Sequence, residues 1–187
     1  DVAWISIGYL MAVTVMIPVY GRLGDRYGRR DVLLVALGVY LLGAIACGFA
    51  ASLGQLVAGR VLQGLGGGGL MVMSQALIGE LIAPRERARF QGYFALVFTF
   101  SSVSGPVLGG VIVSHLHWRW LFWGNLPIVA FAAWRLSRLP RGRRNSGAPG
   151  IRDLPGVCMF AVACVLTLLW VSQVGYRFGW VSVTSLA

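Results

Sequence analysis

Six stretches of this chain are long and apolar enough to cross a lipid bilayer, and that limits its fold more than any other feature. A spanning helix needs about 20 mostly apolar residues. Such stretches run roughly over 4–20, 32–52, 53–80, 90–115, 120–139 and 154–176. The second and sixth hold no charged residue, and the fourth lies in an uncharged run from 90 to 118. Strict period-two alternation is absent, which argues against a membrane β-barrel. Of the 187 residues, 57% are hydrophobic and 12% charged, about half the charge of an ordinary soluble domain. A soluble fold of this size would leave too much apolar surface in water, and disorder requires low hydrophobicity. The fold class expected is therefore all-α, a polytopic membrane protein of six transmembrane helices.

The charges orient these helices. Formal net charge is +10, and all 16 basic residues are arginine. The lack of lysine excludes a P-loop and Schiff-base chemistry. Arg22, Arg26, Arg29 and Arg30 follow the first stretch; Arg85, Arg87 and Arg89 follow the third; Arg135, Arg138, Arg141, Arg143, Arg144 and Arg152 end or follow the fifth. These alternate connections hold 13 of the 16 arginines; Arg119 and Arg177 lie on the other side, and Arg60 falls inside a span. By the positive-inside rule the 13 face the cytoplasm, and both chain ends face outward. Trp118, Trp120 and Trp123 cluster where the fifth span begins, as an interfacial belt would, with Trp4 and Trp180 near other outward ends. Cys47, Cys158 and Cys164 lie in apolar runs without zinc-ligand spacing, so they read as small buried side chains.

Three motifs carry mechanism. The first is Gly21-Arg22-Leu23-Gly24-Asp25-Arg26-Tyr27-Gly28-Arg29-Arg30, expected in a tight cytoplasmic loop. Glycines allow the turn, Asp25 can pair with arginine or accept from a helix N-terminus, and the arginines suit anionic headgroups. A plain solvated loop is the alternative. The second is Leu56-x-x-x-Arg60-x-x-Gln63-Gly64-x-Gly66. Burying Arg60 costs about 2.5–3.5 kcal/mol on insertion scales, which makes it a functional candidate. Gln63, three residues on, can share a polar cavity with it. Snorkelling of Arg60 to the interface is the alternative. The third comprises Gly92, Ser101, Gly105, Pro106, Gly109 and Gly110. Ser101, Gly105 and Gly109 recur every four residues, a small-residue face for close helix packing, and Pro106 favours a kink.

In their order these resemble motifs A, B and C of the major facilitator superfamily. The resemblance implies that Gly21, Gly24, Asp25, Arg26, Gly28, Arg29 and Arg30 form a conformational latch between transporter halves. It makes Arg60, Gln63 and Gly64 a membrane-buried polar site, and the third set the antiporter helix, with Ser101 where the family usually has glycine. Trp118-Arg119-Trp120-Leu121-Phe122-Trp123-Gly124-Asn125-Leu126-Pro127 looks like the entry to the sixth helix of the fourteen-span drug:proton antiporters of the EmrB/QacA type. Trp4 and Tyr9 fit that branch's second helix. Asp153-x-x-Gly156 and Gly179-Trp180-Val181-Ser182 resemble its inserted helix pair.

The chain then corresponds to spans two through seven. Residues 1–139 form the N-terminal bundle without its first span, 140–155 a cytoplasmic loop, and 156–187 an inserted span with an outer loop. That loop is short and rich in Arg, Gly and Pro, whereas twelve-span members usually place a much longer one between their halves.

Other patterns yield to simpler readings. Residues 64–69 satisfy G-x-G-x-x-G, but no strand precedes them and they lie inside an apolar span, so helix packing is expected rather than nucleotide binding. His115 and His117 are too few for a metal site, and the 141–144 arginines read as a membrane anchor rather than a nucleic-acid contact. No cofactor, metal or catalytic residue is expected.

The six acids, Asp1, Asp25, Asp31, Glu80, Glu86 and Asp153, all lie in loops or at span ends. A proton-driven transporter needs a membrane carboxylate or similar relay. The resemblance places it on a first helix that this chain, a fragment on this reading, does not contain. The expected partners are membrane lipid, a small-molecule substrate, the proton as coupling ion, and the missing first span and C-terminal half. The expected function is proton-driven export of hydrophobic or cationic drugs from a cell membrane, with arginine usage pointing to a bacterial source. The alternatives are a twelve-span exporter of a metabolite, siderophore or sugar, and a truncated, non-transporting membrane protein.

Overall fold

A computed structural model describes residues 3–139 and 154–173. Among these the chain is helical: α1 (Ala3–Tyr27), α2 (Arg29–Phe49), α3 (Leu53–Leu81), α4 (Pro84–His115), α5 (Trp120–Trp123), α6 (Asn125–Ser137) and α7 (Leu154–Gln173). The first four are long and apolar enough to cross a membrane. Large apolar side chains face outward along them, Phe100 being 74% exposed and Phe49 71%. In water such a surface would aggregate; lipid or further protein must cover it. The chain is a multi-pass membrane protein.

Local chemistry sets the breaks. Between α1 and α2 only Gly28 leaves the helical path, at φ +95°, where side-chain-bearing residues are strained. Ser52 caps α3, its hydroxyl accepting from the amide of Gln55 at 3.3 Å, while Gln55 accepts from the amide of Ala51 at 2.8 Å. Pro84 begins α4, a position where its missing N–H is not needed.

Two sequence expectations are corrected here. Residues 21–27 are not an open loop but the last turns of α1, so the connection is one residue wide. The hydropathy that locates a span ends at the bilayer, whereas backbone hydrogen bonding continues beyond it. The fifth span is also divided, at Gly124. Pro127 lacks the N–H that would bond the carbonyl of Trp123, so the ladder is interrupted there. Asn125 adds a bond across the break, its Nδ2 donating to the carbonyl of Leu121 at 3.0 Å.

The core lies around α2 and α3. Tyr20, Val32, Leu33, Ala36, Leu37, Met73, Val129 and Leu136 form one buried cluster from α1, α2, α3 and α6. The glycines of α3 let its neighbours approach on two sides. A Cβ on Gly64 would fall 2.5 Å from the carbonyl oxygen of Tyr9, and one on Gly68 2.5 Å from that of Val13, both on α1. On the other side a Cβ at Gly66 would meet the carbonyl oxygen of Ala36 at 2.7 Å, and one at Gly59 the sulfur of Cys47 at 2.8 Å, both on α2. The 64–69 run therefore serves close helix packing.

Candidate functional site

The candidate site centres on Arg60, seven residues after the start of α3 and so about 10 Å along the helix. Its Nη1 donates to Oε1 of Gln63 at 3.0 Å, as the three-residue spacing allows. Gln63 is only 1% exposed. The guanidinium carbon stands 4.6 Å from the ring centre of Phe122 on α5 and 5.9 Å from that of Tyr9 on α1. Both distances fall in the range of cation–π attraction. Arg60 Nε is buried and has no hydrogen-bond partner among the described residues. Three helices thus converge on one charge, and Gly64 provides the room by admitting the backbone of α1 at Tyr9.

Arg-rich motif A lies at the other end of the bundle. Arg29 donates to the carbonyl of Ala76 on α3 at 2.6 Å and stands 3.6 Å from Asp25 and 3.8 Å from Glu80. Asp25 is exposed, so these ion pairs are weak and easily exchanged. Arg30 is different. It is buried, its Nε donates to the carbonyl of Leu136 at 3.1 Å and its Nη2 to that of Ser137 at 2.6 Å. Arg30 therefore caps the C-terminus of α6, where carbonyls lack helical partners. Gly24 is buried against the sulfur of Met73, and Gly28 supplies the break. Arg26 lies over the ring of Tyr27, its guanidinium carbon 5.3 Å from the centre, while Gly21 faces open space.

Sequence reasoning missed two features here. Arg119, just before α5, donates to the carbonyl of Ala50 beyond the end of α2 at 2.9 Å. Arg87 donates to the carbonyls of Gly79 and Ile82 at the end of α3, at 2.5 and 3.2 Å. With Arg30 they make helix C-termini the habitual partner of arginine in this chain. The guanidinium fork suits that task better than an ammonium. The only advance signal was arginine concentrated at span ends.

The motif C set is not brought against anything among the described residues. Gly92, Gly105, Gly109 and Gly110 have no atom within 4 Å of an added Cβ. Ser101 and Pro106 are exposed, and α4 buries no residue. Among the described residues, no close packing is formed on this face. The helix also runs through Pro106 without interruption.

An arginine–glutamine pair inside a span, a one-residue turn edged by Asp25 and Arg29, and a small-residue face on the next helix occur together in one helical bundle. Residues 1–186 match the Major Facilitator Superfamily. The chain belongs to the major facilitator superfamily. It is 37% identical to the Multidrug transporter protein MdtP of Bacillus subtilis, over 95% of this chain and 32% of that protein. It is 34% identical to the Multidrug resistance protein 3 of the same organism, over 97% of this chain and 35% of that protein. Identity to the Efflux pump FUS6 of Gibberella fujikuroi is also 34%, over 98% and 34% respectively. The chain spans about a third of the length of these relatives. They include bacterial and fungal proteins, so similarity to them assigns no source.

Proposed function

We propose that this chain forms the first bundle of a proton-driven exporter of hydrophobic or cationic drugs, of the fourteen-span type. The observation that carries the reading is Arg60. It is a permanent charge on a membrane helix, bonded to Gln63 and with Nε unpartnered among the described residues. A charge so costly to embed marks a substrate or ion pathway. Among the described residues the acids Asp25, Asp31, Glu80 and Glu86 all lie at the arginine-rich end, far along the helices from it. The proton carrier then comes from an additional helix, and the guanidinium tunes its affinity by proximity.

In this reading the bundle rocks against a second one around a central site. The bare face of α4 is where the second bundle seats, and Asp25 with Arg29 closes the cytoplasmic side when the halves meet. The names of the relatives, a multidrug transporter, a multidrug resistance protein and an efflux pump, support drugs as cargo.

The test uses the complete reading frame in inside-out membrane vesicles. A cationic fluorescent drug should accumulate when a proton gradient is imposed and leak away when an uncoupler collapses it. Gradient-independent accumulation would remove proton coupling from the proposal. Transport of a metabolite, siderophore or sugar with no drug uptake would favour the twelve-span alternative.

A further inference from the structure

Phe122 sits at the centre of the Arg60 site, although nothing in its residue type marks it as functional. Phe122 is 4% exposed, and Arg60 lies nearer to its ring than to the other aromatic ring it faces, 4.6 Å against 5.9 Å for Tyr9. An embedded guanidinium requires compensating negative potential. Here Gln63 supplies one neutral acceptor and no described carboxylate reaches Arg60. Among the described residues, the negative faces of the Phe122 and Tyr9 rings supply further compensation.

Phe122 is also held firmly from outside the site. Arg119, three residues earlier, is tied to the carbonyl of Ala50. Trp123, the next residue, packs edge-to-face on Phe49 at 5.0 Å and lies where a Cβ on Gly48 would meet it at 3.0 Å. Trp118 stacks edge-on against Phe122 itself at 6.1 Å. The short α5 is thereby fixed to the end of α2, with the Phe122 ring directed at α3.

From this geometry we infer that Phe122 is a positioning residue of the transport site. Its ring face holds Arg60 beside Gln63 by cation–π attraction, in place of a carboxylate. A fixed carboxylate would neutralise Arg60 in every state. A ring steadies the charge yet leaves it able to act on a proton-carrying or substrate group that comes and goes. The inference rests on the reading of Arg60 as a transport residue.

Fluorination separates this role from packing, because it drains the ring face of negative potential while changing shape little. In the complete transporter, Phe122 is replaced by mono-, di- and trifluorophenylalanine, and drug export is measured at matched membrane levels. Export should fall stepwise, to roughly a tenth for the trifluoro ring. Phe122→Tyr should retain export and Phe122→Leu should lose it to a similar degree as the trifluoro ring. Equal export across the fluorinated series would overturn the inference, whether Phe122→Leu is active or merely misfolds. Arg60→Ala, run alongside, distinguishes the two failures. Normal export by that variant would reject the reading of Arg60, whereas loss of export with a flat fluorine series would reject only the role of Phe122.

Discussion

Arg30, at the start of α2, donates from Nε to the carbonyl oxygen of Leu136 at 3.1 Å, one residue before the end of α6. At the opposite end Arg119 donates to the carbonyl of Ala50, just past α2. The helix that carries Arg30 in its first turn thus has its own end capped from the chain leading into α5 and α6. Each partner satisfies carbonyls that the other leaves open, so α2 and the divided fifth span are tied at both ends. This ties the short α5, and Phe122 with it, to the rest of the bundle.

Removing Arg30 should loosen that tie. Charge-assisted hydrogen bonds contribute about 1.5–3 kcal/mol each. Arg30→Ala should therefore destabilise the complete protein by roughly 2–4 kcal/mol and lower its melting temperature in detergent by about 5–10 °C. Arg30→Lys should recover less than half of the loss, because an ammonium cannot reproduce the fork to two carbonyls. An unchanged melting temperature for Arg30→Ala would show that the cap contributes nothing.

Asp25 should behave in the opposite way. It is exposed, and its contact with Arg29 is 3.6 Å, so the pair contributes under about 1 kcal/mol to folding. Asp25→Asn should leave the melting temperature nearly unchanged yet slow export, since a bias of about 1 kcal/mol in the cycle is roughly 5-fold in rate. Turnover equal to that of the unsubstituted transporter would leave motif A as a turn with no latch.

The glycines divide by location. A Cβ at Gly66 would meet the Ala36 carbonyl oxygen at 2.7 Å, so Gly66→Ala should cost about 1–3 kcal/mol, read as lower yield and melting temperature. Gly109 faces open space in this bundle. Gly109→Leu should leave this bundle's assembly intact but impair export by the complete protein, where the α4 face is proposed to meet the second bundle. Full export by Gly109→Leu would place that face against lipid instead.

Helix identity was legible in the sequence because apolar runs report the bilayer directly. The stretches expected at 32–52 and 53–80 became α2 and α3, displaced by a few residues at most. Residues 21–27 were misread because a polar stretch can remain helical outside the membrane, and only Gly28 truly breaks the path. The pairing of Arg60 with Gln63 was legible from their helical spacing. The approach of Phe122 to Arg60, and of Arg30 to Leu136, was not. These contacts join residues far apart in the chain, and no local pattern records which helix will neighbour which. The segments expected as the 140–155 loop and the outer end of the chain, with Arg141, Arg143, Arg144, Arg152, Arg177 and Trp180, lie outside the described residues apart from 154 and 155, which begin α7.

Gradient-driven drug export by the complete transporter carrying Arg60→Ala addresses the proposed function most directly. With membrane level and melting temperature matched to the unsubstituted protein, export should fall roughly 100-fold, close to 3 kcal/mol in the transport barrier. Normal export by that variant would contradict the transport role of the Arg60–Gln63 site and leave Arg60 as an arginine snorkelling to the membrane interface.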